Sequence, residues 1–183
     1  VAIGSDHKRI AQPKPADYLA VMTRAVFQAG LSWAAIDAQW EALLAAFERF
    51  DPRRVARYDT RDLARIMAHP GILHSERKIE ATIHNAQTIV ALEREHGSIR
   101  AYLGSLGSYE ATVTALKQRF RYVGDISAYY FLYRVGERVP PFARWIQTVK
   151  GTHPRIKEMV GAGARPTLTR TRPEGRSKKT KAR

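Results

Sequence analysis

The stretch Gln28-Ala29-Gly30-Leu31-Ser32-Trp33 sets a tryptophan just past a helix-breaking glycine, at the end of an apolar helical pattern. An indole face attracts a desolvated cation, so Trp33 could wall a pocket for a flat, charged ligand; core packing is the other reading. A second junction is Phe120-Arg121-Tyr122-Val123-Gly124, where only Arg121 to Gly124 separate two helical patterns. A tight hairpin closed by glycine turns backbone N–H groups and the positive end of a helix dipole outward. That arrangement binds phosphate without any side chain. The hydrophobic-x-x-hydrophobic-Gly spacing suits an element that grips a DNA backbone without reading sequence, and an ordinary glycine-ended helix connection is the alternative. Asp125 counts against the grip, because its carboxylate would compete with phosphate for the same N–H groups. The histidines at 7, 69, 74, 84, 96 and 153 have no paired metal-ligand spacing, and His84 reads as a hydrogen-bonded core residue. Cysteine is absent, which excludes disulfides and thiolate-ligated zinc; neither a metal nor a cofactor is expected.

The elements that would position these residues are helices throughout. Tyr18, Val21, Met22, Ala25 and Val26 form one stripe over 15–29. Ser32 can cap a helix running to Phe50, with Trp33, Ile36, Trp40, Leu43, Leu44 and Phe47 inward. Asp51 and Pro52 are an N-cap and first helical residue. Thr60 starts a short helix that ends before Pro70. Ser75 opens a long one, with Ile79, Ile83, Ala86, Ile89, Val90 and Leu92 repeating to Gly97. A short turn at 98–103 and a helix from Ser108 through Phe120 lead to the hairpin. No stretch alternates with period two and there are no internal repeats, so the fold class is all-α.

At 183 residues with 44% hydrophobic content the chain can bury one core. Residues 1–164 read as a helical domain, and 165–183 as a basic tail too polar to join a core and expected to be disordered. The net charge is +14, of which +7 lies in that tail. Such an excess points to a polyanionic partner, most simply DNA. With no signal-peptide pattern and no apolar run of about eighteen residues, the expectation is a soluble cytoplasmic, nucleoid-associated protein with no membrane partner.

Together, QAGLSW (28–33), FDPRRVA (50–56), GILHSERKI (71–79), HNA (84–86) and FRYVG (120–124) resemble the DNA-3-methyladenine glycosylase I family of the helix–hairpin–helix DNA glycosylase superfamily. Order and spacing match over about 18–136. The resemblance implies two helical lobes around a cleft and action as a monomer on damaged double-stranded DNA. It also implies that Trp33 stacks on an extruded methylated base, in a pocket with Ala25, Phe27 and Gln28. Gly30 and Leu31 would face the lesion, Leu31 as a wedge. Lys78, Arg121, Tyr122, Val123 and Gly124 would contact DNA.

The chain departs from the family at its chemistry. The family's base-binding glutamate, eight residues before the tryptophan, is Ala25 here. Nothing in 1–17 resembles its N-terminal Tyr-His-Asp-x-Glu-Trp-Gly motif, and VPPFARW (139–145) replaces its C-terminal zinc ligands. Phe142 stands where the wider superfamily has a catalytic aspartate. Asp37, one helical turn past Trp33 on the same face, and Asp125 at the hairpin are the substitute catalytic candidates; a solvated or capping role is the alternative for both. Three functions follow: a zinc-free glycosylase that releases alkylated purines, a non-catalytic damage- or structure-recognising DNA-binding protein, or an interaction protein on the same scaffold.

Overall fold

The computed structural model describes residues 8–28 and 32–149, apart from the side chain of Trp33, and every regular element among them is helical. Helix α1 (Pro15–Phe27) follows the expected stripe: Tyr18, Val21, Met22, Ala25 and Val26 are all buried. The expected single helix from Ser32 to Phe50 is instead broken. Ser32 caps α2 (Trp33–Asp37) through Ala35 N–H, and α3 (Trp40–Ala46) begins after an interruption at Ala38-Gln39. Gln39 causes the break. Its backbone N–H turns to Ile36 O at 3.1 Å, while its side-chain amide takes Ala35 O at 2.8 Å, the carbonyl that a continuous helix would give to the Gln39 backbone. Beyond α3, Glu48, Arg49 and Phe50 all adopt positive φ in a tight turn. That turn stacks Phe50 on Phe47 at 5.7 Å and on Trp40 at 5.2 Å between ring centroids.

Asp51 caps α4 (Pro52–Val55) as its sequence position implies, accepting from Arg53 N–H at 2.9 Å. Asp59 caps α5 (Thr60–Met67). Helix α6 (Glu76–His96) buries Ile79, Ala86, Ile89 and Leu92 and ends at Gly97, whose φ of 80° favours a residue without a Cβ. Ser98 and Ser108 cap α7 (Ile99–Ser105) and α8 (Tyr109–Arg119). The hairpin then leads into α9 (Asp125–Arg134) and a short α10 (Phe142–Trp145).

Helix α6 is the spine of the first group of helices and packs on α1, α4, α5 and α7, while α9 packs on α8. Helix α1 touches both α6 and α9 and so joins the two groups. The last described segment is fastened by aromatic rings. Trp145 stacks on Tyr129 at 3.9 Å, Phe142 meets both, and Tyr109 closes on Tyr129 edge-on. Among the described residues no helix is long and apolar enough to cross a membrane.

Candidate nucleic-acid interface

Three polar side chains are buried on one stripe of α6: Lys78, Thr82 and Asn85. Their i, i+4, i+7 spacing puts them on one helix face. Lys78 Nζ donates to Phe27 O at 2.9 Å and lies 5.8 Å from the Phe27 ring centroid. The ammonium therefore meets the negative end of α1. Thr82 donates back to Lys78 O, and Asn85 holds the hairpin, donating to Arg121 O at 3.2 Å and accepting from Arg121 N–H at 2.8 Å. The end of α1 and the hairpin turn thus dock on the same face of α6, about 10 Å apart along its axis at ordinary helical rise. This corrects the sequence expectation for Lys78. It is only 8% exposed and braces a helix end, so its ammonium is not displayed to solvent.

On the α1 side, Ala25, Phe27 and Gln28 are each 2% exposed or less. Among the described residues the buried Gln28 amide nitrogen, at the start of the QAGLSW segment, meets no hydrogen-bond partner. Gly30 and Leu31 lie outside the described residues, as does the Trp33 side chain; the Trp33 backbone opens α2.

Of the two carboxylate candidates, Asp37 bonds Arg24 at 2.9 Å. Arg24 also lies flat against Trp40, 4.3 Å from the ring centroid. Arg24, Trp40 and Arg134 line a cavity of about 270 Å³ among α1, α3 and α9. Beside it, burial pushes the Tyr130 hydroxyl above its ordinary pKa, and Arg134 donates to that oxygen at 2.9 Å. Asp37 is committed to a guanidinium but stays one turn from Trp33 along α2. Asp125 sits on the surface and pairs with Lys117 at 2.8 Å.

That pairing changes the reading of the hairpin. The Asp125 carboxylate is drawn to Lys117, and Gly124 has no side chain to offer the first turn of α9, so no side chain caps it. The turn residue is Tyr122 (φ 60°), while Gly124 has negative φ and open space where a Cβ would stand. Arg121, Tyr122 and Gly124 are exposed, and Val123 is partly buried against the core. The His84 ring donates to Arg119 O over 3.2 Å, so it is hydrogen-bonded as read, but it is only partly buried and is not a core residue.

Residues 15–119 match the methyladenine glycosylase family model. The chain belongs to the methyladenine glycosylase family. It is 26% identical to the DNA-3-methyladenine glycosylase of Haemophilus influenzae and 29% identical to DNA-3-methyladenine glycosylase 1 of Escherichia coli, over 130 residues, 60% of this chain and 70% of each relative. Among solved structures it is similar to 3-methyladenine DNA glycosylase I in complex with 3-methyladenine, with a TM-score of 0.62 and 25% identity, covering 70% of this chain and 81% of that one. The Staphylococcus aureus enzyme gives a TM-score of 0.61 at 25% identity, over 70% and 79%.

This methyladenine glycosylase does not fit the zinc site that the resemblance implies. No cysteine exists to supply a ligand. The stretch 139–145 offers prolines, and Phe142 and Trp145 pack against Tyr129. Among the described residues no three His, Asp or Glu side chains gather to hold a metal. The sequence includes Asn85 in the HNA motif without a role and gives Gln39 none, yet these two organise the two junctions. Their signal was there: a polar residue on an otherwise apolar stripe, and an amide at a helix interruption.

Proposed function

We propose that this protein is a zinc-free DNA-3-methyladenine glycosylase that flips an alkylated purine out of damaged duplex DNA and hydrolyses its N-glycosidic bond, acting as a monomer associated with the nucleoid. The family match from α1 to the end of α8, spanning the QAGLSW segment, carries the reading. The docking of that segment's flank and the hairpin on one face of α6 supports it. Residues 1–164 form the catalytic unit and 165–183 an accessory polyanion-binding tail.

The reaction asks little of acid–base groups. A 3-methylated adenine carries a positive charge, so the C1′–N bond breaks with its electron pair passing to the ring, which leaves neutral. Water then adds its oxygen to C1′ and releases a proton to solvent, giving the free base and an abasic sugar. Extrusion, stacking on Trp33 and exclusion of water account for the rate without a general acid. Asp37 is the carboxylate nearest Trp33 along the chain and would stabilise positive charge developing on the sugar. On this reading Leu31 and Gly30 would face the gap left by the base, and the hairpin from Arg121 to Gly124 would hold the backbone beside it.

The test is release of methylated bases from alkylated duplex DNA by the full chain, with Trp33→Ala and Asp37→Asn beside it. Release by wild type and its loss in Trp33→Ala are expected. A wild type that binds lesion-containing duplex but releases no base would move the protein to the non-catalytic reading.

A further inference from the structure

Asn85 is fully buried, and both ends of its amide bond the backbone of a single residue, Arg121. The backbone N–H can only donate and the carbonyl only accept, so the amide has one possible orientation. On the near side of Phe120, Arg119 O is held by His84 at 3.2 Å and by Thr88 at 3.4 Å, and Phe120 itself is buried. Helix α6 therefore fixes the chain up to the residue before Tyr122.

Tyr122 is the anomaly. Its φ of 60° is a backbone state that a bulky residue holds only where its surroundings force it. A glycine there would make the same turn without strain, yet the chain carries its glycine two residues later, where φ is negative. Tyr122 is also one of two large hydrophobic side chains left exposed among the described residues, at 43%. A strained, exposed ring at the tip of a clamped turn is placed for contact.

We propose that Tyr122 stacks on a sugar or base of the duplex beside the gripped phosphates, and that Asn85 is the positioning residue that holds it there. The proposal rests on the glycosylase reading. The polar clamp lies inside and the ring outside, so removing either one should weaken the same contact.

The test uses the full chain and a labelled duplex carrying an abasic-site analogue, with release of 3-methyladenine measured alongside. Tyr122→Gly should hold its melting temperature or raise it, because glycine suits the turn, yet lose about tenfold in duplex affinity, the lower range for one lost aromatic stack. Tyr122→Phe should keep the affinity. Asn85→Ala should lose affinity to a similar degree, with the change in the DNA concentration for half-maximal release rather than in the rate at saturation. The double variant should bind no worse than the weaker single one, since both act through one contact. Tyr122→Gly binding as tightly as wild type overturns the proposal even if Asn85→Ala fails to fold, and additive losses in the double variant overturn the link between the residues. A wild type that neither binds the duplex nor releases base overturns the glycosylase reading itself, a result distinct from an active wild type with unaffected variants.

Discussion

Ala25 is buried in α1 at 2% exposure, one turn from Met22 and from Gln28, at the position where the sequence resemblance implies a base-binding glutamate. Ala25→Glu should raise the release of 3-methyladenine modestly, because a carboxylate can hydrogen-bond and neutralise the cationic base, an interaction worth about 1.5–3 kcal/mol. It should also lower stability by about 1–3 kcal/mol, since burial disfavours the charged form. The sign with pH follows. A glutamate whose folded pKa is raised binds more protons folded than unfolded, so the deficit is smallest below the unfolded value near about 4.3 and grows as pH rises through the folded one. Thermal melts across that range with release assays at neutral pH check both parts; a stable variant with no gain in release would argue against position 25 as the base-holding site. At this scale the sequence told less than at any other. The motif singles out Ala25 and Gln28, but nothing in the sequence signals the burial of Lys78. A lysine in the first turn of a helix looks solvated until the element it braces is known, and Phe27 lies 51 residues away.

Elements were more legible, with exceptions that have local causes. The stripes of α1 and α6, the cap at Asp51 and the helix start at Ser108 follow from period and residue type. The break at Gln39 does not, because it depends on a side-chain amide that also accepts from Leu73 N–H at 2.5 Å, a partner 34 residues on. The positive-φ turn after α3 was equally hidden, since Glu48, Arg49 and Phe50 are not turn formers and yield to ring stacking. Lys78→Met tests how far α6 secures the end of α1. It keeps most of the side-chain volume but removes the ammonium bond to Phe27 O and the contact with its ring, so a loss of about 2–3 kcal/mol is expected. Denaturant unfolding measures it; a loss below about 0.5 kcal/mol would mean that packing alone places the helix end.

The whole molecule carries its own pH signature. Burial raises the pKa of Tyr58, Tyr102, Tyr109, Tyr129 and Tyr130, and pushes Tyr18 up to about 12, with Glu137 adding to it. Each is protonated more firmly folded than unfolded, so its stabilising contribution is complete below the unfolded value near about 10 and is lost as pH climbs through the folded one. Tyrosinate absorbance from these residues should appear together with the loss of helical ellipticity. Gradual ionisation near pH 10 with the helices intact would contradict their burial. The basic excess gives the final prediction. Residues 165–183 carry eight Lys and Arg against Glu174, half of the net charge, and they lie outside the described residues. Each phosphate neutralised on a duplex adds about 0.9 to the slope of log affinity against log salt, so deleting the tail should flatten that slope by several units, with a ceiling of about 7. Affinity at moderate salt should fall with it. The ratio of affinities for lesion-containing and intact duplex, taken at one salt concentration, should not change. Counterion release is the same on either DNA, whereas on the proposed glycosylase reading discrimination would rest on Trp33 and the hairpin. A ratio that collapses with the tail would place lesion recognition outside the helical domain and remove the basis for a base-flipping site there.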